Sequence, residues 1–117
     1  MANTTVALYR VGNLDAGLDR IRSKDVDIRS DKAEAEICVW QSDATHSAGI
    51  SCWSDRGRAA RSAFKGRVWE LPVQAVFDDT LLRLWEPRPG HWYWSPARNM
   101  RGSEFIAALR AVNGLFQ

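Results

Sequence analysis

The chain has 117 residues, the size of one domain with one core, and sets 16 lysines and arginines against 14 acidic residues for a net charge of +2. A hydrophobic share of 45% with 26% charged residues excludes wholesale disorder, and so small a net charge excludes a molecule that binds nucleic acid through its overall field. Cys38 and Cys52 form no Cys-x-x-Cys pair and only His46 and His91 are available to join them, which argues against a zinc site and for reduced thiols.

Met1 to Thr5 leads straight into a strand pattern without the basic and apolar regions of a leader. No apolar run approaches the roughly 20 residues that span a bilayer, so the expectation is a cytoplasmic chain with no membrane partner. From Thr5 to Val11 residue types alternate, with Val6, Leu8 and Arg10 on one face and Ala7, Tyr9 and Val11 on the other, which is the period of a strand. After Gly12, Asn13 or Asp15 is placed to cap a helix over 13–22 that carries Leu14, Leu18 and Ile21 on one stripe.

A short alternating piece runs from Asp25 to Ser30, a charged connector from Asp31 to Glu36, and a buried strand from Ile37 to Trp40. Gln41 to Ala48, rich in Ser, Asp, Thr and His, is expected to be a surface loop. Gly49 to Ser54 is again strand-like. Ser54 or Asp55 then caps a helix over 55–65 carrying Ala59, Ala60, Ala63 and Phe64.

Strands are expected over 67–71 and Val73 to Phe77, with Pro72 favouring an edge or a bulge between them because it has no N–H to donate. A turn at Asp78-Asp79-Thr80 leads to a hairpin of strands 81–85 and 91–95, closed by Pro87-Arg88-Pro89-Gly90. Ser103 is placed to cap a final helix over 103–113, lined by Phe105, Leu109 and Val112, with Gly114 beyond its end. The order of elements predicts a single α+β domain of mixed, mostly antiparallel sheets with flanking helices.

Three segments carry chemistry. Arg10, at the end of the first strand, has a planar fork of donors suited to phosphate or ribose. Ser51 follows Gly49-Ile50, where a hydroxyl can fix a sugar and a glycine lets a ligand approach the backbone. Tyr9 and Trp53 offer rings on which nicotinamide or adenine can stack, and His91, at the mouth of the hairpin, can contact ribose or move a proton.

Thr5-Val6-Ala7-Leu8-Tyr9-Arg10, Gly49-Ile50-Ser51-Cys52-Trp53-Ser54-Asp55-Arg56 and the run from His91 to Met100 stand in an order that resembles the small NAD-dependent toxins of type VI secretion systems with an ADP-ribosyltransferase-like fold. More loosely, the chain is similar to the arginine-serine-glutamate class of ADP-ribosyltransferases. The resemblance implies NAD as substrate, transfer of ADP-ribose or hydrolysis of its glycosidic bond, and neutralisation by a cognate immunity protein or antitoxin. It places catalysis on Arg10, Ser51, Asp79 and His91 and NAD binding on Tyr9, Arg10, Ser51, Trp53 and Ser54, and because the transferase fold sets the two strands side by side it implies that Tyr9, Arg10, Ser51 and Trp53 line one cleft.

The chain departs from that class in its acid, because no Glu-x-Glu element follows Ser51. Asp78-Asp79 stands in a comparable place, with Glu70, Glu86 and Glu104 as the other candidates. Two other readings stay open. One is a non-enzymatic interaction module or inhibitor using a surface drawn from the six tryptophans, most of which are expected to pack in the core. The other is a small nucleic-acid-binding domain using the basic stretch Arg56, Arg58, Arg61, Lys65 and Arg67.

Overall fold

A computed structural model describes residues 1–22, 24–31, 36–40, 49–63 and 65–117, and for 27–31 and 36–40 the backbone alone. Five strands form the main sheet, β2 (Leu8–Gly12), β5 (Ile50–Trp53), β6 (Arg67–Leu71), β8 (Leu82–Arg88) and β9 (His91–Pro96), in the order β6-β2-β5-β9-β8 with every neighbour antiparallel. A three-stranded sheet joins β3 (Asp27–Asp31), β4 (Glu36–Trp40) and β10 (Met100–Arg101), and β1 (Ala2–Asn3) pairs with β7 (Val76–Phe77). With α1 (Arg56–Arg61) and α2 (Gly102–Asn113), the architecture is α+β with antiparallel sheets. No helix among the described residues is long and apolar enough to cross a membrane.

The alternation along β2 fixes which way the sheet faces. Leu8 pairs with Leu71 and sits fully buried, and Ile50, Cys52, Leu82 and Trp94 lie on the same side. Against that side α2 sets Phe105, Leu109 and Val112, one stripe at helical spacing, and Leu18, Val26 and Phe77 complete the core. Helix α2 begins at Gly102 with no side-chain cap, so Ser103 lies inside its first turn and not at the cap expected of it. The short α1 is capped by Asp55, whose carboxylate accepts from the Gly57 N–H at 2.8 Å.

Residues 13–22 form no helix. The Asp15 carboxylate accepts from the Gly17 N–H at 2.7 Å, Gly17 turns through a φ of +66°, and the Leu18 N–H is taken by the Asn113 side chain at 3.0 Å. Ala16 and Leu18 are buried while Leu14 is 87% exposed, so the apparent helical stripe is three residues of a looped segment. The strand expected over Val73 to Phe77 shortens to Val76–Phe77 for a similar reason. Buried Thr4 donates its hydroxyl to the Pro72 carbonyl and accepts from the Ala75 N–H, pinning a turn in which Gln74 has a φ of 69°.

The looped segment and the sheet share one ligand, the guanidinium of Arg10. It donates to the Ala16 carbonyl at 2.7 Å, to the Gly17 carbonyl at 3.5 Å, and to the backbone carbonyl of Ser51 in a short hydrogen bond. Strands β2 and β6 are registered over five residue pairs, but β2 and β5 over Tyr9 and Trp53 alone. Beyond that pair the side chain of Arg10 takes the place of a ladder bond.

Burial pushes the thiol of Cys52 up to about 11, with Arg10 acting weakly the other way, so this cysteine is an inert core residue. The side chain of Cys38, the Gln41 to Ala48 segment with His46, and Phe64 lie outside the described residues.

Truncating Arg10 removes its bonds to the Ala16 and Ser51 carbonyls, while the Gly17 carbonyl keeps the Arg20 N–H at 3.2 Å. Arg10→Ala is expected to lower the unfolding free energy by about 1.5 to 3 kcal/mol, the range for hydrogen bonds to charged groups. Urea denaturation followed by tryptophan fluorescence measures this, and an unchanged midpoint contradicts the bridging role.

Candidate functional site

On the face of the main sheet opposite the core, cross-strand pairing lines up side chains from distant parts of the chain. Glu70, Tyr9, Trp53 and His91 form one row through the pairs Tyr9 with Glu70, Tyr9 with Trp53 and Trp53 with His91. Ser51, Tyr93 and Trp85 form the next. Helix α1 packs over the β2 and β6 side of this face, carrying Arg56 to within 5.7 Å of the Tyr9 ring. Ser51, Trp53, Trp85, His91 and Tyr93 are half-buried there.

The centre of this face is the contact between Ser51 and His91. Nε2 of His91 lies 2.9 Å from the Ser51 hydroxyl, and the imidazole stacks on Trp53 with centroids 5.3 Å apart and planes 3° from parallel. The other ring nitrogen, Nδ1, faces the Arg88 guanidinium at 3.4 Å. A guanidinium only donates, so Nδ1 accepts, and the neutral ring carries its proton on Nε2 and donates it to Ser51.

This is the reverse of a serine-nucleophile arrangement, in which a carboxylate accepts from Nδ1 and leaves Nε2 as the base. The Ser51 hydroxyl accepts from His91 and keeps its own proton to give to a ligand oxygen.

Desolvation holds the His91 pKa below its ordinary value, and Arg88 and Arg58 push it the same way. Tyr9 is raised by partial burial and by Glu70, to which its hydroxyl donates. Arg58 donates to the Pro89 carbonyl at 2.7 Å and lies against Gly90, where φ is +77° and a side chain would collide with the guanidinium. The turn of the β8–β9 hairpin is thereby tied to α1, and the Ser54 N–H donates to the Gly90 carbonyl at 3.1 Å.

Of the residues singled out in the sequence, the fold brings Tyr9, Ser51, Trp53, Ser54 and His91 into one neighbourhood. Arg10 is not in the cleft expected to contain it. Its side chain lies on the core side with Leu8, and the residue reaches Ser51 only through the backbone carbonyl. Asp79 is also elsewhere: it pairs with the N-terminal amine at 3.1 Å, at the far end of β8 from the hairpin turn. Nor is the space beside Gly49 open to a ligand, because a Cβ there would lie 2.5 Å from Tyr93 Cβ and 2.8 Å from Ser95 Oγ.

Among the candidate acids, Glu70 lies on the site face, one strand beyond Tyr9. Sequence reasoning passed over a Glu-x-Glu triplet, Glu34-Ala35-Glu36, which precedes Ser51; Glu36 opens β4, and the other two lie outside the described residues. It also missed Arg88, whose partner could not be known before the hairpin register.

The basic stretch divides, with Arg56 and Arg58 flanking the site face while Arg67 stacks on Trp69 at 3.8 Å on the other side of β6. Among the described residues no group of three His, Cys, Asp or Glu is placed to hold a metal ion. A groove of about 420 Å³ lies away from this face between β7 and α2 and is lined by Val76, Phe77, Leu81, Ala108 and Val112.

The lowered His91 pKa has a signed consequence. A histidine whose folded pKa is depressed contributes stability that is present above the unfolded value near 6.5 and lost as pH falls through the folded value. In an NMR titration, the ring signals that disappear in His91→Gln are expected to shift with a midpoint below 6.5. A midpoint above it contradicts the desolvated, arginine-flanked setting of the ring. Compared with family models, curated proteins and solved structures, the chain matches none of them.

Proposed function

We propose that the chain is an ADP-ribosyltransferase-like domain that binds NAD on the open face of its main sheet and cleaves the nicotinamide–ribose bond, acting as a toxin in the cytosol of a target cell. The observation that carries this reading is the meeting of Ser51, Trp53 and His91, contributed by two of the three resembling segments, on one half-buried face beside Arg56 and Arg58. A dinucleotide needs a ring to stack on, polar hydrogens for its ribose and cations for its diphosphate, and these groups supply that set.

In the reaction the bond from ribose C1′ to the nicotinamide nitrogen breaks with both electrons leaving on nicotinamide. A new bond forms from C1′ to water or to an acceptor atom, which gives up a proton. Positive charge grows on the ribose as the bond breaks, and a nearby carboxylate stabilises it. Glu70 is assigned that role in place of Asp79, because it shares the face with Ser51 while Asp79 does not.

The Ser51 hydroxyl and the His91 ring orient the ribose, Trp53 offers its ring to nicotinamide, and Arg56 and Arg58 meet the diphosphate. Arg10 acts through the backbone it holds and is a positioning residue. A partner that covers this face is the form an immunity protein would take.

Inducible expression in bacteria, with cellular NAD and growth followed beside purified-protein NAD titrations, tests the reading. Wild type is expected to deplete NAD or arrest growth. Ser51→Ala is expected to weaken NAD binding by up to about tenfold, the worth of one neutral hydrogen bond, and to relieve toxicity while remaining folded. Arg10→Ala does not make this test, since it also loosens the fold. Absence of NAD binding by the folded wild type, or full toxicity of folded Ser51→Ala and His91→Gln, overturns it.

A further inference from the structure

The aromatic face continues past the Ser51–His91 contact. From Trp53 the rings pass to His91 at 5.3 Å, to Tyr93 at 4.8 Å and to Trp85 at 5.6 Å, an unbroken chain across β5, β9 and β8. Cations flank it along its length: Arg56 lies over Tyr9, Arg88 stands at His91, and Arg83 lies 4.5 Å from the Trp85 ring centre. Arg83 is exposed and Trp85 half-buried, with the indole N–H donated to Ser95 Oγ at 2.9 Å and the ring held edge-on to Tyr93 at 72°. The acid closest in sequence, Glu86, is engaged by the Gly90 N–H at 2.9 Å.

A protein partner's hot spot would favour a compact anchor surrounded by a dry rim. A half-buried run of rings flanked by guanidinium groups instead matches a ligand that combines flat apolar faces with phosphates. Stacking is indifferent to base identity, and the arginines meet the backbone charge. Duplex DNA or RNA offers phosphates but keeps its base faces stacked inside, so the track discriminates for unpaired strands.

We infer that the strip from Trp53 through Tyr93 to Trp85, with Arg83 and Arg88, binds a single-stranded nucleic acid. This deepens the proposed function by naming the class of macromolecule the domain acts on. Only that role rests on the NAD reading, because the binding itself does not depend on it.

The test measures fluorescence anisotropy of a labelled 12-nucleotide single strand, as RNA and as DNA, against the full chain, with a duplex of the same length for comparison. Expected is single-strand binding that weakens steeply with salt and exceeds duplex binding at the same salt. Trp85→Ala is expected to weaken it about tenfold, in line with the loss of one stacked base, whereas Trp85→Phe retains most of it. Arg83→Ala, at an exposed position, is expected to weaken binding and lower the salt dependence by about one unit of slope.

NAD titration of the same variants is expected to match wild type, since neither residue touches Ser51 or His91. Failure of NAD binding with strand binding intact would sink the enzyme reading alone. Equal affinity for duplex and single strand, no binding at low salt, or binding that Trp85→Ala and Arg83→Ala both leave unchanged would overturn the inference.

Discussion

The guanidinium of Arg10 joins three backbone carbonyls that belong to two separate parts of the chain, Ala16 and Gly17 in the looped segment and Ser51 in β5. Backbone carbonyls left inside a fold without a donor are costly, and a planar fork with several N–H groups is the side chain best able to satisfy several at once. Because the bond to Ser51 replaces the next rung between β2 and β5, the strands meet fully only at Tyr9 and Trp53. The carbonyl of Ser51 is thus held from the core side while its hydroxyl points to the other face and meets His91.

Two sides of the same residue therefore carry the structure and the chemistry. On the core side, desolvation keeps Cys52 a neutral thiol, and α2 closes the sheet with Phe105 and Leu109. On the open side, desolvation and neighbouring arginines keep His91 a neutral imidazole. Arg88 at Nδ1 makes His91 a hydrogen-bond donor to Ser51. That arrangement does not generate a serine nucleophile and leaves the Ser51 hydroxyl its own proton to donate, which is compatible with the proposed reaction at an oxocarbenium-like ribose.

Much of this was legible in the chain itself. The alternation of Val6, Leu8 and Arg10 against Tyr9 and Val11 already assigned Arg10 to the apolar face, yet the chemistry of arginine drew it to the cleft. Strands β2, β5, β6, β8 and β9 and the stripe on α2 follow from period alone, and the observed elements lie close to the expected spans. What period could not supply was competition for backbone groups. Leu14, Leu18 and Ile21 have helical spacing, but Arg10, Asp15 and Asn113 take the carbonyls and N–H groups such a helix would use. Register was equally hidden, and without it neither the contact of His91 with Ser51 nor the place of Glu70 beside Tyr9 is visible.

The central claim, that the face carrying Ser51, Trp53 and His91 is the ligand site, is tested most directly by the indole N–H signals of the six tryptophans in an NMR titration with NAD. The account predicts that the Trp53 signal, assigned by Trp53→Phe, moves with added NAD. The Trp94 signal, from a fully buried ring on the core side, stays in place. Movement of Trp94 or Trp69 with Trp53 unperturbed, or no movement of any of the six, would contradict it.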